Sequence, residues 1–183
     1  MTKLITLDLG GNLGVTIGPL SAEARAAQVK CFTIKLKETT RVGVWLNSAT
    51  EELHRLVREN PGATWACEKP DTRGLMYFGI RKNMCLLGHV YSVLAVYGIY
   101  EMQEVTVPQA KLRLAGHGRA DKDQMIAAAQ AKGYSAKNEH EADACGIREV
   151  VIFGPEETKA QKAKRAAAAK RKVKEQAKGP KLL

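Results

Sequence analysis

Leu4-Ile5-Thr6-Leu7-Asp8-Leu9-Gly10 is an apolar run that ends in a carboxylate. Its length and composition predict a buried strand over residues 3–9. Asp8 is costly to desolvate there unless a positive group meets it. The same pattern recurs twice: Thr64-Trp65-Ala66-Cys67-Glu68 closes a second apolar run, and His140-Glu141-Ala142-Asp143-Ala144 lies inside a third. A lysine or a hard divalent cation would answer such carboxylates, and the cation is the reading adopted here.

Around this strand the chain reads as one α/β domain. After a Gly10-Gly11-Asn12 turn, residues 13–17 and 29–36 read as strands, so three strands open the chain. A helix is predicted over residues 42–59, with Leu46, Leu53, Leu56 and Val57 near one face; Ser48 and Glu51 have capping-box spacing and offer an alternative start. A short strand then ends at Glu68, a long helix covers 74–96, and a fifth strand covers 100–105. Helices follow at 109–114, 122–132 and 139–153. The order is βββαβαβ and then helices: a mixed five-stranded sheet with an antiparallel opening and helices on both faces. In such a sheet the first and fourth strands lie side by side, and Asp8 faces Glu68. His140 and Asp143, three apart on a helix, project from one face. Asn138 is the expected N-cap, with Glu141 three residues on.

Composition bounds the rest. The 183 residues carry a formal net charge of +10, of which residues 155–183 supply +7. That segment is rich in Ala and Lys, with Glu156 and Glu157 in front and Gly179-Pro180 behind, a layout that suits a helix. It has few large apolar residues, so it reads equally as a solvated tail or as one that orders on a phosphate backbone. In either state it should add salt-sensitive affinity for nucleic acid. No run approaches a membrane span and the N-terminus does not resemble a signal peptide, which points to the cytoplasm. Cys31, Cys67, Cys85 and Cys145 form no CxxC pair and are expected as reduced thiols. Cys85, His89, His140 and Cys145 fit no recognised zinc spacing.

Taken together, the residues resemble the RuvC family of Holliday junction resolvases, a branch of the RNase H-like nucleases. The resemblance rests on Asp8-Leu9-Gly10, Glu68, Val107-Pro108-Gln109-Ala110-Lys111, the stretch from Gly116 to Met125, and His140-Glu141-Ala142-Asp143. It implies a domain over residues 1–154, to which the basic tail is an addition. It also implies a homodimer that places two active sites on one four-way junction, cutting branched DNA to leave 5′-phosphate and 3′-hydroxyl ends. Asp8, Glu68, His140 and Asp143 would be catalytic and would hold two Mg²⁺ ions, with Mn²⁺ able to substitute. Two cations about 3.5–4 Å apart activate a water and neutralise the phosphate and leaving oxygens. Lys111 and Lys122 match basic positions of the family motif and would contact phosphate, with Arg119 a further DNA contact.

Two departures stand out. The family commonly has Asp-x-x-Asp on the last helix, whereas here the first position is His140, which leaves three formal negative charges and favours softer metals. Family members also carry an aromatic wedge shortly after the glutamate. Here Asp71 is the third residue after Glu68, and Tyr77 or Phe78 would have to serve instead. Part of the 74–96 helix would pack on a twofold mate, although Leu86, Leu87, Val90 and Leu94 also suit a core. Asp8-Leu9-Gly10-Gly11-Asn12 further resembles the phosphate loop of sugar kinases and actin-like ATPases, but those need two lobes and this chain has room for one. A nuclease acting on RNA or RNA-DNA hybrids and a weakly catalytic branched-DNA-binding protein are the alternative functions.

Overall fold

The computed structural model describes residues 2–23, 26–70 and 77–157, with the side chains of Tyr77 and Phe78 outside that description. Strands β1 (Lys3–Leu9), β2 (Leu13–Pro19) and β3 (Lys30–Ile34) form an antiparallel meander. Helix α1 (Val42–Glu59) leads to β4 (Thr64–Lys69), and α2 (Tyr77–Val96) leads to β5 (Gln103–Thr106). Both returns are helical, so β4 runs parallel to β1 and β5 parallel to β4. The sheet order is β3-β2-β1-β4-β5. Helices α3 (Val107–Ala115), α4 (Lys122–Ala131) and α5 (Glu139–Phe153) complete the chain.

The period-2 alternation of β1 assigns its side chains to two layers. Ile5, Leu7 and Leu9 join Trp45, Leu53, Leu56, Leu86, Val90 and Leu94 in the core beneath α1 and α2. Leu4 packs instead with Ala66, Val105, Ala110, Ile147 and Val150, on the face covered by α3 and α5. Thr6 and Asp8 share that second face. Thr6 lies opposite Thr16, their hydroxyls are 2.5 Å apart, and Thr6 Oγ1 donates to the Ala144 carbonyl at 2.8 Å. This buried polar pair fastens the middle of α5 to the centre of the sheet.

Several expectations shift in detail. Ser48 starts no helix: α1 begins at Val42, and the Ser48 hydroxyl donates to the Trp45 carbonyl at 2.6 Å while accepting from the Lys37 amide at 3.1 Å. The fifth strand starts at Gln103, later than expected, because Tyr100 is 77% exposed and precedes the pairing with β4. Helix α3 then follows without a gap, since the Gln109 side chain accepts from both the amide and the hydroxyl of Thr106. Leu86, Leu87, Val90 and Leu94 are buried in the protomer's own core, which removes them as a surface for a twofold mate. No described helix is long and apolar enough to cross a membrane. Of the tail, residues 158–183 lie outside the described residues, as does Asp71.

Candidate functional site

Asp8 ends the second face of β1, two residues beyond Thr6, and Glu68 stands two residues beyond Ala66 on β4. Thr6 and Ala66 are registered partners, so the two carboxylates are brought side by side across a parallel pair. On the other flank Asp8 is registered with Gly14 of β2. Gly14 has no side chain, and the first turn of α5 rests on it with the His140 backbone in direct contact. The helix therefore descends onto the sheet at the position of Asp8. Asn138 caps α5 by accepting from the Glu141 amide at 3.1 Å, and its Nδ2 donates to Thr33 Oγ1 of β3 at 3.0 Å. Glu141, which is buried, accepts from the Lys137 amide at 2.9 Å. This network fixes the first turn, and with it His140 and Asp143.

The result is a crowd of acids around one imidazole. His140 Nδ1 lies 3.0 Å from Asp8 Oδ2, and Asp8 is only 6% exposed. The hydrogen bond to Asp8 holds His140 above the ordinary imidazole range. Burial, followed by Asp8 beside it, pushes the Glu68 carboxyl up to about 9. Burial and Asp8 likewise raise Asp143 to about 6. Lys111 opposes both shifts, which places its charge within reach of Glu68 and Asp143. Its Nζ donates to the Ala120 carbonyl at 2.7 Å, holding the ammonium between α3 and the start of α4.

The donor set suits a hard divalent cation: carboxylate oxygens that repel one another when ionised, with one imidazole beside them. A cation among them would remove the reason for Glu68 to stay protonated. Among the described residues, however, no three His, Cys, Asp or Glu side chains converge as a ready-made metal cage. The fit is therefore one of chemistry and charge, with Asp8 engaged by His140 and hydrogen-bonded to Glu68.

Comparison with solved structures bears on the architecture that gathers these side chains. The Thermus thermophilus RuvC structure aligns over 81% of this chain and 92% of its own, with a TM-score of 0.61 and 16% identity. T. thermophilus RuvC in complex with a Holliday junction substrate aligns over 84% of this chain and 94% of its own, with a TM-score of 0.67 and 16% identity. The fold is that of RuvC. The yeast mitochondrial Holliday junction resolvase Ydc2 shares it more loosely, with a TM-score of 0.55, 10% identity, and coverage of 82% of this chain and 78% of its own. No protein-family model matches the sequence, and no curated protein matches it. At such identities the likeness is one of fold.

Within the RuvC fold the basic residues take different places. Lys122 pairs with Glu139, the neighbour of His140, and so borders the acidic group from outside. Arg119 is exposed on the connection before α4. Tyr77 and Phe78 open α2, but their side chains lie outside the described residues. Three features that support the site escaped sequence reading. Gly14 carries no local signal, because its importance depends on α5 arriving 126 residues later. Thr33 acts through a cap on another element. The third, a capping box at Asp121, was legible in Asp121-Lys122-Asp123-Gln124: Asp121 Oδ1 accepts from the Gln124 amide at 2.9 Å, and Gln124 Oε1 accepts from the Asp121 amide at 3.0 Å.

Proposed function

We propose that this chain is a divalent-cation-dependent endonuclease that cuts branched DNA, with four-way Holliday junctions as its substrate. The observation carrying this reading is the gathering of Asp8, Glu68, His140 and Asp143 at one end of a RuvC-type sheet, with Glu68 pushed up to about 9 in the absence of a counter-charge. One of the similar structures is described as RuvC bound to a Holliday junction substrate, and the substrate class is carried over from it.

Asp8, Glu68, His140 and Asp143 would hold two Mg²⁺ ions, with Mn²⁺ able to substitute. When bound, these supply an activated water and neutralise the phosphate and leaving oxygens. The chain's own residues do the positioning. Lys111, anchored on the Ala120 carbonyl, adds positive charge beside the scissile phosphate. Lys122 and Arg119 meet flanking phosphates, and Tyr77 or Phe78 enters the junction centre. Hydrolysis leaves 5′-phosphate and 3′-hydroxyl ends. The basic segment 155–183 adds salt-sensitive affinity that does not depend on sequence.

The active form in this reading is a homodimer, because two sites related by a twofold axis match the symmetry of a four-way junction. Arg81, Met84, Gly88, Ser92 and Ala95 recur on the exposed side of α2 and form the proposed contact. A cleavage panel of four-way, flap, duplex and RNA-DNA hybrid substrates at fixed salt tests the reading. Paired symmetric nicks in the four-way substrate support it, whereas cutting of the hybrid alone replaces it with an RNase H-type activity.

A second reading, a branched-DNA-binding protein with little cleavage, is favoured by one observation. His140 already engages Asp8, and no three-ligand cage is preformed among the described residues. Tight junction binding without scission at any Mg²⁺ or Mn²⁺ concentration would select it.

A further inference from the structure

A cavity of about 290 Å³ opens between the β2–β3 connection and helices α3 and α5, lined in part by Ser21, Arg113, Lys132, Tyr134, Arg148 and Glu149. It lies at the opposite end of the sheet from Asp8. Along the β1–β2 pair, Asp8 is registered with Gly14 and Lys3 with Pro19, and the cavity begins just beyond Pro19. Five residues of strand, about 16 Å, separate the two ends.

The charges in this cavity do not balance. Both carboxylate oxygens of Glu149 are engaged, Oε2 by Lys132 Nζ at 2.7 Å and Oε1 by the Tyr134 hydroxyl at 2.8 Å. Glu156 accepts from Arg113 Nη1 at 3.3 Å. Arg148 is 2% exposed and pairs with no carboxylate among the described residues. Its Nη2 donates to the Pro19 carbonyl, whereas its Nη1 is buried without a partner, as is Nε of Arg113. Two guanidinium groups therefore present unanswered N–H donors to one cavity. A buried group that stays charged at every working pH ordinarily has a counter-ion, and buried donors ordinarily have acceptors.

We propose that this cavity binds a free, phosphate-sized oxyanion, held by Arg148 Nη1 and Arg113 Nε. A planar fork of N–H donors suits tetrahedral oxygens, and the volume admits such an ion with its remaining water. A duplex backbone is a poor match, because Arg148 is almost wholly covered and the cavity faces away from the acidic site. Arg148 follows His140 by eight residues on α5, about 12 Å along the helix. Occupancy would therefore tie the far half of the helix that carries the site to the β2–β3 connection.

The test is a calorimetric titration of the full chain in Mg²⁺ with inorganic phosphate, beside a thermal melt in phosphate against chloride at equal ionic strength. The expected result is saturable one-to-one binding and a higher melting temperature in phosphate. Both should persist in Asp8→Asn, and binding should weaken at least tenfold in Arg113→Gln, which alters the less buried arginine and leaves Arg148 in place. Absence of saturable binding, or binding unchanged in Arg113→Gln, overturns the proposal. So does a result in which phosphate competes with junction DNA and Arg113→Gln weakens both alike, since the site would then belong to the DNA backbone.

Discussion

A Cβ placed on Gly14 would stand 1.9 Å from the His140 carbonyl oxygen and 2.4 Å from its carbonyl carbon. Gly14 is also the registered partner of Asp8, so a missing side chain on β2 sets how closely the α5 backbone approaches the carboxylate of β1. The obstructing atoms are backbone at a capped helix start, and no flexible side-chain tip can swing aside. Gly14→Ala should therefore push α5 off the sheet, destabilising the fold by at least about 1–3 kcal/mol and abolishing cleavage. Urea denaturation measures the first effect. A change within about 0.5 kcal/mol, the range of ordinary surface substitutions, would contradict it.

Glu68 gives a pH signature in the cation-free protein. Its folded carboxyl titrates near 9, well above the ordinary 4.5, so ionising it costs the folded state. The folded form binds the extra proton, and its relative stability is fully present below pH about 4–5 and is lost progressively up to pH about 9. Glu68→Gln removes that loss. At pH 8 the variant should melt higher than the parent, by roughly 2–4 °C for each kcal/mol relieved, and the gap should close as pH falls to about 4. Saturating Mg²⁺ should narrow the gap at pH 8 by stabilising the parent. A gap that is independent of pH would contradict the assignment.

The sequence disclosed those parts of the molecule whose physics is local. Helix α5 has the predicted bounds because Asn138 caps it and apolar residues fill it, and α1 has its predicted bounds as well. Period-2 alternation in β1 placed Asp8 at the end of a buried strand, and parallel return through α1 put Glu68 beside it. What stayed hidden depends on distant partners. Ser48 has the spacing of a cap, yet its hydroxyl serves the Lys37 amide of the preceding connection. Tyr100 has strand propensity but no strand beside it, and the pairing with β4 starts only at Gln103. The orphan donors of Arg113 and Arg148 become visible only when α3 and α5 close on the loop after Pro19.

His140 should set the metal preference. An imidazole favours softer metals, whereas a carboxylate in its place would be a hard ligand. His140→Asp should tighten Mg²⁺ binding relative to Mn²⁺ by about tenfold, the scale on which one group near a metal matters. It also removes the hydrogen bond to Asp8 and adds a like charge, so the cation-free variant should melt lower at neutral pH. Isothermal titration with each metal checks the first effect, and an unchanged ratio would exclude His140 from the coordination sphere.

Met84 tests the dimer. It is 47% exposed on the outer face of α2 and makes no part of the protomer core. Met84→Glu should leave the melting temperature of the protomer nearly unchanged while shifting sedimentation from dimer to monomer. Paired nicking should then fall more than single nicking. A dimer that survives the substitution would move the interface to another face.

The most direct measurement is cleavage of a four-way junction, labelled on each strand, by the parent and by Asp8→Asn at fixed salt with and without Mg²⁺. The account predicts symmetric paired nicks by the parent only with the cation, and binding without cutting by Asp8→Asn. Scission that continues in chelator, or that survives Asp8→Asn, would contradict it.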